Sequence, residues 1–135
     1  MIVAVATLTQ EAVADLATRW TAQSPLVVIA LCAAWCTTCG EFRRAFERLA
    51  AENGDAMFVW LDVEDDAAVC GDIDVENFPT LAIFRGETLL HYGVSLPAEG
   101  NVARLIAEMR TRTSEDAAAP EEVRDLPRSL REWTG

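Results

Sequence analysis

Residues 26–32 read LVVIALC, seven consecutive apolar side chains with no polar alternate. Side chains of a strand point to opposite faces in turn. A strand apolar at every position therefore fits the centre of a sheet covered on both sides. Ser24-Pro25 precedes the run and ends any helix before it, because the residue before a proline is pushed out of helical geometry.

The rest of the chain alternates between helical and strand periods around that run. Residues 2–6 suit a short edge strand, and Thr7–Gln23 a helix with an apolar stripe of Leu8, Val13, Leu16, Ala17 and Trp20. Phe42, Phe46 and Leu49 repeat at helical spacing and predict a helix from about Cys36 to Asn53. Residues 56–63 form another apolar strand, and 65–72 a short helix. A hairpin is expected over 80–85 and 87–93, turning at Arg85-Gly86-Glu87. A last helix follows Pro97, with Val102, Leu105, Ile106 and Met109 on its apolar face. The order is β-α-β-α-β-α-β-β-α.

A chain of 135 residues suits one domain and buries roughly two thirds of its unfolded surface, so it needs no disulfide staples. All 11 basic residues are arginine; against 22 acidic ones they leave a net charge of −11. Seven basic and sixteen acidic residues lie in 1–110, so the acidity belongs to the body of the chain. No basic stripe exists to displace counterions from a nucleic acid or to hold an anionic membrane. Any charge steering would favour basic partners. The longest apolar run is far short of the ~20 residues of a membrane span. MIVAVATLTQ has no basic leader region, so the expected compartment is the reducing cytoplasm. Cysteines there serve catalysis or metal binding more often than structure.

Composition changes near Arg112. Residues 1–112 are expected to form the domain and 113–135 an acidic, proline-containing tail, partly ordered or flexible. Val123, Leu126, Leu130 and Trp133 offer that tail apolar residues for docking on the domain or on a partner.

The chemistry gathers at Trp35-Cys36-Thr37-Thr38-Cys39, where the central strand ends and a helix begins. The first turn of a helix carries unpaired N–H groups and the positive dipole end, which favour a thiolate. Cys36 stands at the helix start as the exposed nucleophile. Two intervening residues bring Cys39 back beside it, one turn deeper, to attack a mixed disulfide and release the substrate.

This motif after an apolar strand, with Phe78-Pro79-Thr80 before a hairpin, Asp62-Val63-Glu64 on the third strand and Gly93 on the last, resembles the thioredoxin family. The likeness covers about residues 2–110. It implies an α/β thioredoxin fold, a central mixed sheet of about five strands flanked by about four helices. It implies a thiol–disulfide oxidoreductase reducing protein disulfides through Cys36 and Cys39, with electrons from a thioredoxin-reductase-type donor, no bound cofactor, no metal, and a monomeric state. By the same likeness Trp35 is a lid over the sulfurs. Pro79 is cis, and the backbone of Phe78 pairs with an extended substrate peptide. Thr80 and Gly93 complete the substrate site.

Three departures from the family stand out. Thr37-Thr38 replaces the usual Gly-Pro between the cysteines, and threonine hydroxyls there are expected to donate to a Cys36 thiolate and make the disulfide more oxidising. Ala30 stands where many members carry a buried Asp, and Trp60 near the register of its Lys partner. Cys39 must then lose its proton to water or to a carboxylate such as Glu41 or Glu64, and release of the mixed disulfide is expected to be slow. The third departure is the strongly acidic, lysine-free surface.

Other readings compete. A binding or assembly-chaperone module of the same fold would keep the cysteines as bystanders, and a disulfide oxidant or isomerase would run the same chemistry in another direction. Cys32 reads as an inert apolar residue of the strand and Cys70 as a buried one on the short helix. A zinc site of Cys32, Cys36, Cys39 and Cys70 would have only one close pair, where such sites generally use two. His91, the single histidine, reads as an edge side chain facing water.

Overall fold

The computed structural model describes residues 3–4, 26–64, 66–70, 73, 75, 77–112, 114–116 and 118–132. The helix expected over Thr7–Gln23 and the side chain of Trp133 lie outside them. The elements are β1 (Val3–Ala4), β2 (Leu26–Cys32), α1 (Thr37–Glu52), β3 (Met57–Asp62), α2 (Ala67–Cys70), β4 (Thr80–Arg85), β5 (Thr88–Val94), α3 (Glu99–Thr111), α4 (Glu121–Arg124) and α5 (Leu126–Glu132).

The five strands form one mixed sheet in the order β1-β3-β2-β4-β5. β2 is central, as its unbroken apolar run requires, and all seven of its residues are buried. It pairs parallel with β3 and antiparallel with β4. Successive β2 side chains sort onto two faces. Leu26, Val28, Ala30 and Cys32 join the core beneath α1 and α3, whereas Val27, Ile29 and Leu31 join the core on the other face.

α1 buries Cys39, Phe42, Ala45, Phe46, Leu49 and Ala50 along one stripe. Phe46 packs edge-on to Phe58 at 5.3 Å and to Trp60 at 5.5 Å between ring centroids, as aromatic pairs prefer. The Arg43 guanidinium lies 5.0 Å from the Trp60 ring centroid and closes this cluster from outside. Asn53 ends the helix, its N–H reaching Leu49 O at 3.0 Å and its side-chain Nδ2 the same oxygen at 2.8 Å. Arg110 on α3 then grips Asn53 Oδ1 at 2.8 Å and the Asp55 carboxylate at 2.6 and 3.0 Å, which fixes α3 beside α1. That guanidinium holds the Asp55 carboxyl below its usual range.

The hairpin turns at Gly86, whose φ of 58° lies in the left-handed region that glycine enters without a Cβ penalty. The β4–β5 register shifts between Ile83 and Phe84, a bulge that lets two residues face one. Beyond α3 the chain crosses the open edge of β5. Asp116 N–H donates to Leu89 O at 2.8 Å, and Tyr92 N–H donates to Asp116 Oδ2 at 3.1 Å. α4 and α5 follow and bury Val123, Leu126 and Leu130 against the second face of the sheet. Pro120 and Pro127 sit at the starts of these helices, where a missing N–H costs nothing.

Candidate active site

β2 delivers Cys32 at its last position and α1 begins five residues later. A tight turn joins them, closed by Cys36 N–H donating to Ala33 O at 3.0 Å. Cys36 is the residue that caps α1, with extended backbone at φ −87° and ψ 115°, and its carbonyl accepts the first helical bond from Gly40 N–H at 3.1 Å. The capping position leaves its side chain partly accessible at the positive end of a 16-residue helix. Cys39, in the first turn, points into the core and is 1% exposed.

The sulfurs are connected otherwise than the motif suggested. Cys39 is bonded to Cys32, their Cα atoms 5.9 Å apart, and Cys36 is a free thiol. Cys32 is thus as buried as expected of a strand residue, but it is bonded to another sulfur and is not the free apolar side chain expected. Its position explains this. The strand-to-helix turn folds the chain back, so the end of β2 lies beneath the first turn of α1, and both cysteines enter the same core. A spacing of seven, spanning a strand end and a helix start, was the available signal.

Around Cys36 lies an open concavity of about 600 Å³, lined by Ala34, Trp35, Cys36, Thr37, Gly40, Glu41 and Arg44. Trp35 is 66% exposed, one of the most exposed large apolar side chains among the described residues, and stands edge-on to Phe78 at 5.5 Å. Phe78 in turn packs against the same core as Cys36. The Phe78–Pro79 peptide bond is cis. The structure therefore gathers Trp35, Cys36 and Phe78 at one surface.

Thr80 and Gly93 sit differently. Thr80 is 3% exposed, and its hydroxyl donates to Asn77 O at 2.6 Å, which shapes the loop before Pro79 from within. Gly93 faces Leu81 across the hairpin; a methyl group there would meet the His91 ring at 3.7 Å, an ordinary contact. The strand end it belongs to reaches the same loop, since Ser95 N–H donates to Pro79 O at 3.0 Å.

Among the described residues, no hydrogen bond joins the Thr37 or Thr38 hydroxyl to Cys36. The threonines thus give no direct support to its sulfur. Ala30 is fully buried, opposite Trp60 on β3 and Leu81 on β4, and apolar neighbours fill its surroundings. Of the two carboxylates considered for Cys39, Glu41 shares the concavity with Cys36 and Glu64 does not. Glu64 belongs to the turn after β3, its N–H held by Asp62 Oδ1 at 2.8 Å.

Cys70 lies on the opposite side of the sheet. Its thiol faces the carbonyls of Asp66 at 3.4 Å and Asp62 at 3.7 Å, and burial, reinforced by the Asp66 and Asp62 charges, pushes it up to about 12. His91 is half-buried, not the water-facing side chain expected. Burial holds its pKa below 6.5, opposed by the charge of Asp116, and it stands outside the Cys36 concavity. No group of three or more metal-ligating side chains is gathered among the described residues.

This geometry can be set beside known proteins. The family model for thioredoxin matches residues 5–110. The chain belongs to the thioredoxin family. A thioredoxin H-type of Brassica campestris is 33% identical over 81 residues, which are 60% of this chain and 66% of that one. The chain thus matches just under two thirds of that relative's length. A protein disulfide-isomerase of Hordeum vulgare is 29% identical over 109 residues, 75% of this chain and 21% of that protein. Among solved structures, thioredoxin NaTrxh from Nicotiana alata superposes with a TM-score of 0.65 at 19% identity, covering 79% of this chain and 91% of the other. The germline-specific thioredoxin Deadhead of Drosophila melanogaster gives 0.64 at 20% identity, covering 80% and 98%. At such identities the structural likeness establishes the thioredoxin fold, a mixed sheet flanked by helices.

Proposed function

We propose that this member of the thioredoxin family is a thiol–disulfide oxidoreductase that reduces protein disulfides, with Cys36 as nucleophile and Cys39 as resolving thiol. The observation that carries the reading is a free, partly accessible Cys36 thiol at the start of α1, beside an exposed aromatic pair and one turn from a second cysteine. In the reduced protein the Cys36 thiolate attacks one sulfur of a substrate disulfide. A mixed disulfide forms and the other substrate sulfur leaves as a thiolate. Cys39 then attacks Cys36 Sγ, and the second substrate thiol departs.

Trp35 and Phe78 supply an apolar platform for the residues flanking the substrate cysteine, and the backbone of Phe78 pairs with an extended peptide. Glu41 lines the concavity beside Cys36, and with Ala30 in place of the buried Asp it is the carboxylate that a water at Cys36 would relay the Cys39 proton to. Electrons come from a thioredoxin-reductase-type donor through the same sulfurs. The reducing cytoplasm suits that direction of flow.

Insulin reduction by the full chain, driven by a dithiol, tests the reading. Cys36→Ser is expected to lower the rate by about 100-fold or more, and Cys39→Ser to stop at a mixed disulfide recoverable as a covalent adduct. A Cys36→Ser protein as active as the wild type would overturn it and favour a binding module with bystander cysteines.

A further inference from the structure

We propose that Cys32 is a third exchanging cysteine, which draws Cys39 into a buried disulfide and returns Cys36 to the surface as a free thiol. The proposal rests on the oxidoreductase reading above. Cys39 has two neighbours it can bond. Cys36 lies three residues before it, across the first turn of α1, where side chains face one another. Cys32 lies beneath it at the end of β2, with a Cα separation of 5.9 Å, inside the ordinary range for a disulfide. The bond present in the structure is the inner one, and Cys36 is free.

Both partners of the inner bond are 1% exposed. A reductant in solution therefore meets Cys36 before it meets either of them. Cys70 takes no part; it faces the other core, its thiol turned to the carbonyls of Asp66 and Asp62.

The step balances without an added reagent. Substrate reduction leaves a Cys36–Cys39 disulfide and a Cys32 thiol. Cys32, deprotonated, attacks Cys39 Sγ. The Cys32–Cys39 bond forms, the Cys36–Cys39 bond breaks, and the electron pair leaves on Cys36, which takes up the proton. One disulfide exists before and after, so nothing is oxidised or reduced overall. Reopening runs the same path backwards, with the Cys36 thiolate attacking Cys39 Sγ and releasing Cys32. The oxidised protein so keeps an accessible nucleophile with no resolving thiol, and its mixed disulfides with partner proteins persist. Cys36 is also the gate through which the buried bond is reduced.

The full chain, fully reduced, is mixed with insulin, quenched in acid and alkylated with N-ethylmaleimide after unfolding. Cleavage after Trp35 separates Cys32 from Cys36 and Cys39. The expected wild-type product joins the Cys32 and Cys39 peptides and carries the label on Cys36. Cys32→Ala is expected to give the Cys36–Cys39 bond within one peptide. In a second measurement, dithiothreitol opens the buried bond of folded Cys36→Ser more slowly than that of the wild type, by about tenfold or more. Insulin reduced by a wild type that holds only Cys36–Cys39, with Cys32 labelled, would overturn the relay and leave the oxidoreductase reading standing. Equal opening rates in Cys36→Ser and wild type would also overturn it, as a structural disulfide opened without Cys36. Insulin left unreduced would remove both readings.

Discussion

The two faces of the sheet share one central strand and are covered by different means. On one, α1 and α3, helices of 16 and 13 residues, bury Phe42, Phe46 and Leu49, and this face carries Cys32, Cys36 and Cys39. On the other, the short helices α4 and α5 supply Val123, Leu126 and Leu130, and Cys70 lies among them. Cys32 and Cys70 are each 1% exposed. One is bonded to another sulfur; the other faces backbone carbonyls and two carboxylates that disfavour its thiolate. Burial alone does not decide what a cysteine does. Its neighbours decide, and a strand's alternation decides the neighbours.

The comparison can be broken first at the face that the short helices α4 and α5 cover. Deleting residues 120–135 strips three fully buried apolar side chains from one face, each worth roughly 1.5–3 kcal/mol. The truncated chain is expected to lose about 5 kcal/mol or more, read as a lowered urea midpoint and new dye binding. A midpoint equal to that of the full chain would mean that α4 and α5 do not support the sheet. Phe46→Ala probes the other face. Removing that ring from its contacts with Phe58 and Trp60 is expected to cost about 3–5 kcal/mol by the same measurement.

A smaller effect comes from Cys70. Its folded-state value of about 12 exceeds the usual 9.0, so folding favours the neutral thiol. That stability is fully present below pH 9 and is lost as pH rises from 9 to 12. At pH 10 the loss is on the order of 1 kcal/mol, and Cys70→Ala is expected to remove this slope from the pH profile of unfolding. An unchanged profile would place the alkaline sensitivity elsewhere. Iodoacetamide at pH 8 is expected to label Cys70 only after unfolding.

Much of this was legible in the sequence, and the reasons are physical. The unbroken run 26–32 demanded a central strand, and Phe42, Phe46 and Leu49 marked the buried stripe of α1. Cys36 at a helix start with Cys39 one turn on followed from spacing alone. Helices α4 and α5 were harder to read, because Pro120 and Pro127 look like breakers until they are seen at helix starts. Cys32 was misread because periodicity reports which face a side chain takes, not what the chain brings back over it. His91 was misread because the returning segment around Asp116 covers the edge strand it sits on, a contact remote in sequence.

That same returning segment has a consequence for association. β5 ends the sheet, and an uncovered edge offers its donors and acceptors to any passing extended chain. Asp116 occupies Leu89 O and Tyr92 N, so the molecule blocks its own outermost ladder. At those two positions an extended chain approaching from outside finds the donor and the acceptor already taken.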